Sequence, residues 1–284
     1  MKYRPIRPLL LLRRLVRSIE RNGLLGTTVK FHKRLFGSFR NHGFRGTIER
    51  GLWTLGIAAR KTPASPNEEI PQQSHPFDLH HHTDTGGYIS GAYIPAVSLS
   101  AFYSTAYLGS APSALKLAIS ALPIQFEKFI FIDIGCGKGR ALLVAADFPF
   151  RHLLGVEIAA ELCDIARTNV ATNADWVARI SIVNQDAATI IFPDGPMLLY
   201  LFNPFLAPVL RRVLQNLERQ LRRSPRPTYL LYADNEGFTQ VMDSFAFLRQ
   251  ISESNFPFSP EDAVFDPAHG THERFTLYSA DLTR

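Results

Sequence analysis

The segment Phe131-Ile132-Asp133-Ile134-Gly135-Cys136-Gly137-Lys138-Gly139-Arg140 runs an apolar stretch into three glycines at alternate positions and then into a helix. Glycines there let the backbone turn tightly and let a ligand press against it with no Cβ in the way. A phosphate-binding loop requires Gly-x-x-x-x-Gly-Lys-Ser/Thr, and Lys138 is followed by Gly139, so no hydroxyl is placed for magnesium. A dinucleotide site requires Gly-x-Gly-x-x-Gly, whereas the spacing here is Gly-x-Gly-x-Gly with an acid, Asp133, inside the strand end. That acid sits badly beside a pyrophosphate and well beside an ammonium group. Glu157 ends the next apolar run, where a carboxylate can accept both hydroxyls of an adenosine ribose. Without Glu157, a purely structural glycine turn remains a competing reading.

These residues resemble the class I S-adenosylmethionine-dependent methyltransferases over about residues 100–250, and a bacterial branch of them with a strand-end Tyr-Leu-Phe-Asn-Pro-Phe. The family's first motif is matched by Asp133, Gly135, Gly137 and Gly139, and its second-strand acid by Glu157. Its third-strand acid, which meets the adenine amino group, is matched by Asp186 in Asn184-Gln185-Asp186-Ala187. The resemblance implies that S-adenosyl-L-methionine is the cofactor. Asp133 and the 135–139 turn would hold its methionine end, Glu157 its ribose and Asp186 its adenine, with Cys136, Ile158, Ala187 and Asn203 also at the cofactor site.

The segment Tyr200-Leu201-Phe202-Asn203-Pro204-Phe205 falls where the fourth strand of that family meets the transferred methyl group. In amine methyltransferases of the Asn/Asp-Pro-Pro-Tyr/Phe type, the polar side chain and the next carbonyl accept hydrogen bonds from the target nitrogen, and the aromatic ring stacks on the substrate. One proline is missing here, so Asn203-Pro204-Phe205 is a partial match. The competing reading is an Asn-Pro turn leading into the helix at Pro208. Upstream, Ser110 reads as an N-cap with Pro112 in the first turn. Resemblance to seven-strand lysine methyltransferases gives Tyr107 and Ser110 another role, on the cofactor's carboxylate. Asp84-Thr85-Gly86-Gly87-Tyr88 is a candidate lid.

Other residues carry less. Consecutive side chains of His80-His81-His82 point in different directions, which suits a solvated loop better than a metal grip, so no metal is expected. Cys136 fits the turn by its size, with no histidine close in sequence to activate it. The arginines at 211, 212, 219, 222, 223 and 226 cluster about one helix as a solvated face, with an acidic partner as the competing reading.

The elements that must position these residues alternate in type. Strands are expected at 129–134, 153–157, 180–183, 197–202 and 229–232, with two more near 247–251 and 275–278. Helices are expected at 96–107, 111–122, 140–147, 159–171 and from Pro208, where Leu210, Val213, Leu214, Leu217 and Leu221 form one stripe. Such alternation gives an α/β fold, a doubly wound, mostly parallel seven-stranded sheet with ligands at the strand carboxyl ends.

Charge divides the chain of 284 residues. Residues 1–61 carry a balance of +13 and the remainder −7, for a total of +6. The acidic main body argues against nucleic acid as the substrate. Residues 9–21 read as a basic amphipathic helix, followed by helical pieces near 27–36 and 46–60. That helix suits docking on the acidic body, with an anionic membrane surface contacted through residues 1–21, or nucleic acid, as the alternatives. Residues 62–95 read as a Pro-rich linker or strap carrying the candidate lid, and 96–284 as the methyltransferase domain. Two cysteines exclude a disulfide framework and suit a reducing cytoplasm. No apolar run approaches the ~18–20 residues of a transmembrane helix.

The function expected is methyl transfer to an amine nitrogen, with protein lysine favoured. The alternatives are a small-molecule acceptor, a non-catalytic S-adenosylmethionine-binding module acting through the basic arm, and an NAD-dependent oxidoreductase, which the glycine spacing disfavours.

Overall fold

The computed structural model describes residues 75–89, 100, 104–105, 107–233, 239–265 and 271–282, all within the unit Pro71–Arg284. The helices expected before residue 61, the start of the strap and most of the 96–107 helix lie outside the described residues.

Seven strands form one sheet: β1 (Ile130–Ile134), β2 (His152–Glu157), β3 (Ile180–Asn184), β4 (Met197–Phe202), β5 (Thr228–Ala233), β6 (Leu248–Pro257) and β7 (His272–Ala280). Their order is β3-β2-β1-β4-β5-β7-β6. The first five are parallel, and β7 inserts antiparallel between β5 and β6. Strand order reverses between β1 and β4, and a crevice opens at such a switch point above the carboxyl ends.

The helices are α1 (Pro76–His81), α2 (Pro112–Ser120), α3 (Arg140–Ala145), α4 (Ala160–Val170), α5 (Ala174–Arg179), α6 (Ala207–Arg223), α7 (Thr239–Asp243) and α8 (Pro260–Phe265). Helices cover both sheet faces, which is why β1 is apolar at nearly every position. Ile130, Ile132 and Ile134 share a core with Leu199, Leu201 and the α6 stripe. Phe131, Leu198 and Tyr200 pack instead with Leu115 and Ile119 of α2 and Leu142 and Leu143 of α3. Alternation along the strand puts Asp133 on the Phe131 side, level with Tyr200 in the β1–β4 register.

Four sequence expectations need correction. Ser104 and Tyr107 sit in extended bridges with Phe205 and Ile89 rather than in a helix, because backbone pairing outweighs the apolar periodicity there. Ser110 does not cap α2; Ala111 holds that position, and the Ser110 hydroxyl pairs with the Tyr200 hydroxyl at 2.8 Å. Residues 75–82 are not a loop, because His75 Nδ1 accepts the Phe77 N–H at 3.1 Å, Pro76 starts α1, and His82 ends it in the left-handed region. The helices α5, α7 and α8 have no counterpart in the sequence reading, since five or six residues are too few to show a 3.6-residue stripe.

Candidate functional site

The carboxyl ends of β1, β2 and β4 open onto a cleft enclosing, together with its mouth, about 800 Å³. Of the residues singled out from sequence, it brings together Tyr107, Ser110, Asp133, Gly135, Cys136, Gly137, Glu157, Ile158, Asp186, Ala187, Pro204 and Phe205. Gly139 and Asn203 do not line it. Gly139 sits behind the turn as the N-cap of α3, facing Ala166.

The turn after β1 needs glycine twice. Gly135 and Gly137 have φ of 82° and 54°, a region other residues enter at a cost of roughly 1–2 kcal/mol. A Cβ at 135 would lie 2.4 Å from Pro204 Cβ, and one at 137 would lie 2.3 Å from the Tyr107 ring. The turn is thus clasped between Pro204 at the end of β4 and the Tyr107 ring. Glu157 fixes it to β2: Oε2 accepts the Gly137 N–H at 2.9 Å and Oε1 the Ala159 N–H at 2.8 Å.

The cleft is electrostatically unusual. Asp133 is 3% exposed, and no described residue gives its carboxylate a hydrogen bond. Burial, reinforced by the nearby Glu157 charge, pushes its pKa well above the usual carboxylate range. Burial also raises Glu157, against the backbone N–H groups that hold its ionised form. The Cys136 thiol is pushed up by burial and by Asp133 and Glu157, so it is no thiolate nucleophile. Asp186 uses Oδ1 to accept the Ala188 N–H at 2.9 Å, capping a short 3₁₀ turn at Ala187–Thr189. No described residue hydrogen-bonds to its second oxygen.

At the end of β4, Asn203 adopts a φ of 42° and turns its side chain under β5, where Oδ1 accepts the Tyr232 hydroxyl at 2.8 Å. The Asn203 carbonyl accepts the Thr105 hydroxyl, and the Pro204 carbonyl accepts the Thr105 N–H at 3.2 Å. With the Ser104–Phe205 bridge, the 104–105 segment lies along this turn like a short added strand.

Sequence reasoning passed over Thr105, Lys138, Arg140, Tyr200 and Tyr232. Arg140 carried a signal: it is a charged residue opening a helix whose other five residues are all buried. Lys138 is 2% exposed, and its Nζ reaches Asp84 Oδ1 at 2.7 Å and the Gly86 carbonyl at 2.9 Å. Those contacts place the candidate lid behind the glycine turn, where the Thr85 carbonyl also accepts the Tyr107 hydroxyl at 2.6 Å. None of residues 84–88 lines the cleft. Among the described residues no cluster of His, Cys, Asp or Glu is arranged to hold a metal, and no helix is long and apolar enough to cross a membrane.

Residues 131–224 match a family model described as a methyltransferase domain. Similar solved structures include residues 961–1257 of the StiE O-MT, 17% identical, covering 60% of this chain and 74% of that one with a TM-score of 0.43. A ribosomal protein L11 methylase from Lactobacillus delbrueckii subsp. bulgaricus is 14% identical, with 61% and 81% covered and a TM-score of 0.44. The magnesium protoporphyrin IX methyltransferase from Synechocystis PCC 6803, solved with bound SAM, is 12% identical, with 60% and 76% covered and a TM-score of 0.41. No curated protein matches the chain.

Proposed function

We propose that the chain carries a class I, Rossmann-like S-adenosylmethionine-dependent methyltransferase domain and that it methylates an amine nitrogen, with a lysine of a basic protein segment as the favoured acceptor. The cofactor supplies an electrophilic methyl group, so the protein's work is alignment and exclusion of water.

The cleft fits that cofactor. A buried carboxylate with no hydrogen-bond partner among the described residues, Asp133, calls for a cation, and the donor's ammonium group is one. Glu157 uses one lone pair on each oxygen for backbone N–H groups, which leaves lone pairs for ribose hydroxyls. Asp186 keeps one oxygen for an adenine amino group. Tyr107 and the turn at 135–137 would wall the methionine end, with Cys136, Ile158 and Ala187 in apolar contact.

The observation that supports the amine reading is the contact of Pro204 with Gly135, which brings the end of β4 against the glycine turn. The Asn203 and Pro204 carbonyls each have one lone pair engaged by Thr105 and a second with which to accept from an amine. Phe202 and Phe205 line the same end and can hold a methylated ammonium against their faces. The balance of −7 over residues 62–284 favours a basic substrate segment. The buried thiols of Cys136 and Cys163 suit the cytoplasm, and the +13 of residues 1–61 suits contact with an anionic membrane surface.

One observation favours the non-catalytic module: Oδ1 of Asn203 and both strand-end carbonyls already have partners within the chain. Incubating cell extract with labelled methyl donor, with and without the protein, separates the readings. Label recovered as methyl-lysine after hydrolysis is expected. Label confined to small molecules means a small acceptor, and donor binding without any transfer means a binding module.

A further inference from the structure

We propose that the outer face of α6, with Ile191 beside it, is a docking surface for the anionic headgroups of a lipid bilayer. The surface belongs to the described residues rather than to residues 1–61, and it does not depend on the donor or acceptor assigned to the cleft.

α6 carries five arginines, no lysine and one acid, in a body whose balance over residues 62–284 is −7. Arg211, Arg212, Arg219, Arg222 and Arg223 are exposed, while Val213, Leu214, Leu217 and Leu221 are buried. With 3.6 residues per turn, the five arginines fall within one arc of about 120°. A helix face kept merely soluble mixes both signs. Here the one acid, Glu218, is taken by Arg222 at 2.7 Å. Guanidinium groups keep their charge, and their planar fork matches phosphate oxygens.

Ile191 is the second, independent observation. It is 84% exposed between two buried neighbours, Ile190 and Phe192. Its loop is fixed to the flank of α6, where Asn216 Nδ2 and Gln220 Nε2 each donate to the Ile190 carbonyl at 2.8 Å. The Phe192 N–H donates to Gln220 Oε1 at 3.0 Å. Arg219 Nη2 reaches Asn216 Oδ1 at 2.9 Å and Arg226 Nη2 the Phe192 carbonyl at 3.4 Å, so guanidinium groups flank the isoleucine. A nucleic acid or an acidic protein would meet the same charges, and Ile191 decides between them. A phosphate backbone gives an isoleucine nothing to bury against, and a protein interface needs several apolar anchors at its core. One apolar tip inside a cationic rim, on a convex helix, suits the boundary between headgroups and acyl chains. The face begins at the cleft: Val209 lines it, and Arg212 Nη1 donates at 3.4 Å to the hydroxyl of Ser100, which lines it too. Docking there brings the cleft mouth to the bilayer surface.

Vesicle sedimentation with the full chain tests the proposal, residues 1–61 being the same in every variant. Wild type should bind phosphatidylcholine vesicles that contain phosphatidylserine, and bind phosphatidylcholine alone far less. Arg219→Gln combined with Arg223→Gln should weaken binding to the anionic vesicles about tenfold or more, since each cation near such a surface contributes about fivefold. The place of contact is read separately. Cys136 and Cys163 are buried, so a polarity-sensitive dye attaches to the introduced thiol of Ile191→Cys. Its emission should shift to the blue on the anionic vesicles. The same dye in Val177→Cys should not shift, because Val177 is exposed on α5, whose Trp176 packs on the sheet face opposite α6. Unchanged binding in the double arginine variant overturns the proposal. So does an absent shift at 191 on vesicles that hold the chain, or a wild-type chain that ignores the anionic vesicles. A shift at 191 with polyglutamate or duplex DNA, and none with vesicles, overturns it in favour of an acidic protein or nucleic acid.

Discussion

The Tyr232 hydroxyl donates a 2.8 Å hydrogen bond to Oδ1 of Asn203, and both residues are buried. An amide expected to face the methyl acceptor is thereby tied beneath the neighbouring strand, and what the turn presents to the cleft is backbone, Pro204 and Phe205. Tyr232→Phe removes the donor and leaves the amide oxygen without it. Stability should fall by about 1 kcal/mol in urea unfolding, with S-adenosylhomocysteine affinity unchanged and methyl transfer slowed. An unchanged transfer rate would mean that the orientation of Asn203 does not matter to the acceptor.

Asp133→Asn should move stability and binding in opposite directions. The folded-state pKa of Asp133 is raised by burial and by Glu157, so the empty protein is favoured while this group is protonated. That advantage is present below its ordinary value of 3.8 and is lost as pH rises through the folded value. A neutral amide removes the penalty. At pH 7 the variant should unfold at higher urea concentration than wild type and bind S-adenosylhomocysteine more weakly. Lower stability together with intact binding would contradict the role given to this carboxylate.

Gly137→Ala places a methyl group where the Tyr107 ring now lies and forces a side chain into φ of 54°. The backbone term alone costs roughly 1–2 kcal/mol. Tyr107 must also move away from the Thr85 carbonyl that accepts its hydroxyl. Unfolding midpoints should drop and adenosyl-ligand affinity should fall. Wild-type affinity in this variant would show that the turn is not pressed by a ligand.

Asp262 gives a test by pH. Burial would raise its carboxyl, but hydrogen bonds from His75 and from the Ser113 hydroxyl and N–H outweigh it and hold the pKa below 3.8. A carboxylate with a depressed folded pKa stabilises the protein above its unfolded value, and this is lost as pH falls through the folded value. Urea midpoints followed from pH 7 to pH 3 should therefore decline in the acid range, and Asp262→Asn should flatten that decline. An unaltered acid profile in Asp262→Asn would remove the contact between α8, α2 and the strap from the list of acid-sensitive ties.

The parts of this architecture with strong periodicity were legible in the residues. β1 and the glycine turn, the α6 stripe and the acids closing β1 and β2 are local patterns, and the alternation of elements leads directly to the doubly wound sheet. What was not legible depends on contacts distant in sequence. Ser110 meets Tyr200 across 90 positions, and Thr105 meets Asn203 across 98. Nothing in a Ser-Ala-Pro or Ser-Thr-Ala stretch records such a partner. The strap shows the same limit: its composition suggests a solvated linker, yet Asp78 and Thr85 are buried, with Thr85 Oγ1 accepting from Arg140 Nε across 55 positions.

The most direct measurement is a calorimetric titration of the wild-type chain and its Glu157→Ala variant with S-adenosylhomocysteine, with NAD as the control ligand. The account predicts saturable one-to-one binding of S-adenosylhomocysteine to wild type, a marked loss in Glu157→Ala and no response to NAD. Absence of binding to the wild-type chain, or undiminished binding in Glu157→Ala, would contradict it.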